Sequence, residues 1–304
     1  AQLVSKSQNI AVITKTAIIS LFLIGFGSKF ALVPLHTWLP DAHPAAPSSI
    51  SALLSGIVIK GYLYAWLRTL LVLSNPSEII SSNLNLILIY CGVVTLLGGH
   101  LLAFQQQNLK RLLAYSSISQ IGYIMIGIAT FTNKGMSGAV FHIINHAVVK
   151  SALFLAAGIF SEKLKAKQIK NLVGAGYKAP LVSFSFTVAA VTIIGLPPFN
   201  IFISKWLIAL SAIKTGFIIP AGTILLGSIL ALTYYLKVIK AIYTKEKNEH
   251  QILGIKWQLK FPVIILAVLC LGMGLFPNMI VPKLNQAVIY LLDSTQYYQI
   301  LFSG

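Results

Sequence analysis

The chain has 304 residues, of which 57% are hydrophobic and only 10% charged, and its 23 Lys and Arg outweigh six Asp and Glu to give a formal net charge of +17. A soluble domain carries about 25% charged residues, so this composition excludes a soluble globular fold, and long apolar runs set the class as an all-α polytopic membrane bundle. The positive charge is not a nucleic-acid footprint, because the basic residues lie between apolar runs, the pattern that orients membrane helices.

Eight spans are expected in chain order, at 11–35, 50–73, 84–104, 109–131, 136–160, 181–215, 217–243 and 259–276. The first runs into "VPLHTWLP" (33–40), where Pro34 and Pro40 predict a helix break. Proline lacks an N–H and clashes with the preceding turn. The second span carries Lys60 near its middle, and the third carries His100. Asn108 is placed to cap the start of the fourth. The fifth holds "HIINHAVVK", so His142, His146 and Lys150 recur every four residues and share one helix face. The sixth is too long for one straight helix and contains "GLPPFN" (195–200), where Pro197 and Pro198 predict a second break. After the eighth, residues 284–302 form an amphipathic segment suited to the membrane interface. The division is therefore 1–283 as a transmembrane domain and 284–304 as an interfacial tail.

Basic residues decide whether 181–215 is one broken span or two short ones. As one span, the loops at 36–49, 105–108, 161–180 and 244–258 share a side and, with their helix ends, hold 13 Lys and Arg against six on the other side. As two spans the split is 9 against 10. The asymmetric solution is the one that positive-inside orientation favours, and it puts both ends of the chain on the outer face. The first residue is Ala, which raises the expectation that the chain continues upstream.

Four basic residues, Lys29, Lys60, Lys150 and Lys205, remain inside apolar segments. A lysine at the bilayer centre costs about 2.5–3.5 kcal/mol on insertion scales. One such lysine reads equally well as a structural residue bonded to carbonyls; four in eight spans point to an ion path. Lysine suits proton transfer because burial favours the neutral amine, which arginine cannot become. Imidazole relays protons through its two nitrogens, so His142, His146 and Lys150 at one-turn intervals make a candidate proton wire. His100 stays open between a structural and a relay role. The six acids fall in loops, at helix ends or in the tail, so no carboxylate inside the membrane balances the lysines. Cys91 and Cys270 lie in apolar runs without a Cys-x-x-Cys pair, which argues against zinc or iron–sulfur ligation. There is no phosphate loop, catalytic triad or cofactor motif. The chain is therefore not expected to be catalytic alone, and no metal or cofactor is expected.

The stretches "SKFALVPLHTWLPDAHPAAPSSISALLSGIVIK" (28–60), "NLKRLLAYSSISQIGY" (108–123), "HIINHAVVKSALFLAAG" (142–158) and "GLPPFNIFISKW" (195–206) resemble the antiporter-like subunits of respiratory complex I. They resemble still more the related subunits of Mrp-type cation/proton antiporters and membrane-bound hydrogenases. The resemblance implies an inverted-repeat fold with fourteen transmembrane helices, of which this chain would cover the last eight, including two discontinuous ones. It also implies a relay of Lys29, Lys60, His142, His146, Lys150 and Lys205. Lys29 would work with a glutamate that lies before Ala1, and Lys205 would be the terminal site on the second broken helix. Asn108 departs from the acid that often precedes "LKR".

The leading expectation is proton translocation, with Na⁺ left open, by one subunit of a complex I-related, Mrp-type or hydrogenase complex. Its partners would be the other membrane subunits, the lipid bilayer and H⁺, with no nucleic acid. Its place would be a prokaryotic cytoplasmic membrane rather than an organellar one. The alternatives are a structural subunit without transport and a redox subunit in which His100, His142 and His146 ligate haem. The haem reading suffers because bis-histidine ligation needs histidines on facing helices.

Overall fold

The computed structural model of the chain describes residues 11–245 and 252–292. Among these the fold is all-helical. Helices α1 (Val12–Lys29) and α2 (Trp38–Ala45) come first. They are followed by α3 (Ser48–Leu73), α4 (Leu84–Phe104), α5 (Leu109–Ala129) and α6 (Asn133–Lys163). Next come α7 (Pro180–Ile194), α8 (Asn200–Lys214), α9 (Ile218–Tyr243), α10 (Trp257–Leu275) and α11 (Val281–Leu292). Six of them, α3 to α6 with α9 and α10, are long and apolar enough to cross a membrane unaided. Helix α7 is a shorter apolar helix.

Several expected boundaries need correction. The first expected span breaks over residues 30–37, so helix α1 stops at Lys29 rather than 35. Pro34 lies in that break, whereas Pro40 lies inside the first turn of α2. A proline is tolerated there because a first-turn N–H has no intrahelical partner to lose. Helix α3 is not uniform: Leu54–Val58 is a π-helical turn, a local widening often found at functional sites. Helix α6 extends beyond 136–160 at both ends. Of the expected interfacial tail, Val281–Leu292 is helical and buries Val288 in the core; residues 293–304 lie outside the described residues.

Pro197 and Pro198 fall between α7 and α8, as expected. Contacts with α6 show how the two halves run. The Phe160 and Phe186 rings lie 5.7 Å apart. Farther along, Asn200 donates to Asn145 at 3.0 Å, and His142 pairs with Ser204 at 2.9 Å. Thr132 meets Ser211 at 2.5 Å. As α6 is followed back from 160 to 132, its partner advances from 186 to 211. Helices α7 and α8 therefore point the same way and form one interrupted pass antiparallel to α6. Gly195 ends α7 with φ +87°, and a Cβ there would come within 3.0 Å of the Lys205 side chain. Only glycine accommodates both conditions without strain.

The four loops expected on one side are joined to one another. Lys110 donates to the Ala46 carbonyl at 2.9 Å. Backbone bonds link Leu109 to Lys167 and Ile169 to Gln107, forming an isolated antiparallel bridge. Gly174 N–H donates to Thr244 and Leu253 N–H to Lys178. At the other end of the bundle, buried Lys15 on α1 pairs with Glu78 at 2.9 Å. The Asn108 side chain accepts from Arg111 N–H and caps α5, as its position predicts.

Candidate functional site

Helix α5 is the axis of the site. It is buried almost throughout, yet it carries Ser116, Ser117, Ser119, Gln120 and Tyr123, all buried. Polar groups in such a place must find partners, because each unmet donor or acceptor costs about 1–3 kcal/mol. Their partners include Ser55 of α3, His142 of α6, His100 of α4 and Tyr235 of α9.

Three of the four intramembrane lysines reach this axis. Lys60 is 6% exposed, Lys150 0% and Lys205 4%. The Lys60 amine donates to the Ser55 carbonyl inside the π turn of α3. The Ser55 hydroxyl meets that of Ser117 at 2.8 Å, and Ser117 donates to the Leu113 carbonyl at 3.1 Å. Lys150 donates to the same carbonyl at 2.8 Å. Lys60 and Lys150 are therefore joined through a short strip of α5 polar groups. Lys150 also reaches the Tyr235 hydroxyl at 3.5 Å.

Lys205 sits at the second helix break. Its amine donates to the carbonyls of Ile194 at 2.9 Å and Ile193 at 3.4 Å, and to the Ser228 hydroxyl at 3.0 Å. It also lies 4.3 Å from the centre of the Tyr123 ring. The last carbonyls of α7 lack intrahelical partners and carry the negative end of the helix dipole, so a cation is favoured there. The aromatic face adds a further attraction.

The histidine ladder divides. His142 is satisfied on both sides, by Ser204 at 2.9 Å and by the Gln120 amide at 3.0 Å. His146, 6.3 Å away ring to ring, has no protein partner for either nitrogen among the described residues. The same holds for buried His43, whose ring stacks on Phe154 at 4.4 Å. Buried imidazoles in that condition call for internal water.

Lys29 stands apart from the axis. It is exposed at the end of α1, on a groove of about 480 Å³ lined by residues that include Phe22, Gly25, Phe26 and Tyr62. Two of the three histidines of the haem alternative are already engaged. Both nitrogens of His100 are occupied by tyrosine hydroxyls, and both of His142 by Ser204 and Gln120.

Sequence reasoning missed the α5 hydroxyls, Gln120, Ser204, Ser228 and the pair Tyr234–Tyr235. The polar run "SSISQ" inside a span was the available signal.

Residues 2–233 match the family described as NADH:quinone oxidoreductase/Mrp antiporter, TM. The chain belongs to this family. It is 35% identical to NADH-quinone oxidoreductase subunit M of Rickettsia felis over 287 residues, 93% of this chain and 57% of that relative. Among solved structures, a chain of the membrane-bound sulfane sulfur reductase, an archaeal respiratory membrane complex, aligns with a TM-score of 0.88 and 32% identity. That alignment covers 97% of this chain and 60% of the other. A chain of the Mrp complex from Dietzia sp. DQ12-45-1b aligns with a TM-score of 0.86 and 27% identity, covering 92% and 60%. This chain thus spans about three-fifths of the length of these relatives. It is a multi-pass integral membrane protein of the antiporter-like type, with bacterial relatives.

Proposed function

We propose that the chain translocates protons as an antiporter-like subunit of a larger membrane complex, with Lys60, His142, His146, Lys150 and Lys205 as the relay. The observation that carries this reading is the convergence of three buried lysines on the polar strip of α5. Protons would pass from Lys60 through the His146 region to Lys150 and leave by Lys205. A charge on one lysine disfavours a charge on the next, so proton movement at one site drives movement at its neighbour. Lys29, exposed at the flank, would take its counter-charge from a neighbouring segment or subunit and pass the coupling signal to Lys60.

The same reading places the chain in an inverted-repeat fold, as the last eight of fourteen helices. Residues 1–283 would form the antiporter-like domain and 284–304 the interfacial tail, with both ends outside a prokaryotic cytoplasmic membrane. The assembly would be a complex I-related, Mrp-type or hydrogenase complex, and Na⁺ could accompany H⁺.

The carbonyl bonds of the lysines also favour a second reading, in which they only hold the helices together. Transport separates the two. In the intact complex reconstituted into vesicles, Lys150→Ala and Lys205→Ala should each lower proton transport by on the order of tenfold or more per assembled complex. Unchanged transport in both would sink the relay and leave the structural reading.

A further inference from the structure

Beside the histidine ladder, a second set of polar groups lies between Lys150 and Lys205. The hydroxyl of Tyr235, within reach of Lys150, meets the Ser116 hydroxyl at 2.9 Å. Tyr234 is the neighbour of Tyr235 on α9, with its ring 4.8 Å away. Its hydroxyl meets His100 Nδ1 at 3.1 Å. His100 Nε2 meets the Tyr123 hydroxyl at 3.1 Å. Tyr123 and Ser228 share the Ile224 carbonyl, at 3.5 Å and 3.4 Å, and Ser228 accepts from Lys205. Every member except Ser228 is buried. The arrangement runs across α9, α5 and α4 and makes no use of His142 or His146.

We infer that His100, held between Tyr234 and Tyr123, is a second relay residue that carries protons from Lys150 to Lys205 through side chains alone. This rests on the transport reading above. The geometry gives the chain a direction. Tyr123 is placed to donate to the Ile224 carbonyl at 3.5 Å, which leaves its oxygen free to accept from His100 Nε2–H. His100 Nδ1 then accepts from the Tyr234 hydroxyl. A proton arriving on Tyr234 through Tyr235 and Ser116 displaces that hydroxyl's own proton onto Nδ1. Nε2 releases its proton to Tyr123; the Tyr123 O–H turns from the Ile224 carbonyl to Ser228, which takes that proton and gives its own to the neutral Lys205 amine. One proton enters, one leaves, and the imidazole ends as its other tautomer.

A purely structural histidine needs no such continuity at both ends. The packing also protects the contact: a Cβ on Gly227 of α9 would come within 2.4 Å of the Tyr123 hydroxyl and 3.1 Å of the His100 ring. Glycine at this position is what lets α9 approach the pair.

The test uses the intact complex in vesicles, with transport normalised to assembled complex. His100→Gln keeps hydrogen-bonding groups but cannot take up a proton, and His100→Ala opens a space that free imidazole can fill. Tyr123→Phe and Tyr234→Phe keep the ring packing and remove one hydroxyl each. The inference expects transport to fall by on the order of tenfold in His100→Gln and in each Phe variant. It further expects added imidazole to restore part of the activity of His100→Ala. If Lys150→Ala and Lys205→Ala abolish transport while His100→Gln and both Phe variants keep the normal rate, the bridge is wrong and the relay stands. If the lysine variants also transport normally, the relay itself is wrong. Should His100→Gln fail to assemble, normal transport by the two Phe variants overturns the bridge alone.

Discussion

The chain contains two interrupted passes, each with proline in the interruption and a lysine beside it, yet their surroundings differ. At the second, Lys205 is 4% exposed and donates to two carbonyls of α7 and to Ser228 over the face of Tyr123. At the first, Lys29 is exposed beside an apolar groove. An interrupted helix creates free carbonyls, and at the second break this chain supplies the cation that meets them. At the first, the lysine is presented outward. The same sequence device thus gives a buried, fully bonded lysine in one place and an exposed one in the other.

The comparison is sharpest in stability. Lys205→Ala leaves the Ile193 and Ile194 carbonyls and Ser228 without their donor and opens a space in the core, so it should destabilise by about 2–4 kcal/mol. Lys29→Ala removes a side chain without a described hydrogen bond or ion pair, and should change stability by less than about 0.5 kcal/mol in the same measurement. Thermal unfolding of the detergent-solubilised protein distinguishes them; equal losses would erase the contrast. A smaller effect separates the two ends of the first interrupted pass. Its α1 half is tied by Lys15 and Glu78, with side chains 6% and 32% exposed, and its α2 half by Arg111 and Asp41, at 44% and 71%. Removing one partner of a pair strands the other only where it is buried. Glu78→Gln should therefore cost about 1–3 kcal/mol, and Asp41→Asn less than about 1 kcal/mol, read by the same unfolding assay. The reverse order would mean that α1 is held by its apolar contacts alone.

Much of this architecture was legible before any coordinates. Distribution of Lys and Arg between apolar runs identified four loops on one side, because insertion energetics write sidedness into short loops. The bonds from Lys110 to Ala46, Leu253 to Lys178 and Gly174 to Thr244 join them. Prolines marked both interruptions, since a missing N–H acts locally. Pro40 misled because its effect depends on where in a helix it falls. The π turn left no such mark: "SALLSGIVIK" has the same apolar pattern as an α-helix. The α5 hydroxyls were hidden for a related reason. A serine in a membrane helix can bond its own preceding turn, as Ser117 does to Leu113, so its presence does not reveal a second partner such as Ser55. Tyr234 and Tyr235 are adjacent in sequence, and only helix packing brings one to His100 and the other to Ser116. The lysines announced themselves by cost; their partners were inexpensive residues and did not.

The measurement closest to the central claim is a density map of the intact complex at a resolution that shows ordered water, read between Lys60 and Lys205. The relay predicts water bonded to both ring nitrogens of His146 and continuing to Lys60 and Lys150, because buried imidazole nitrogens require partners. A His146 packed on both nitrogens by hydrocarbon, with no water between Lys60 and Lys150, would contradict it.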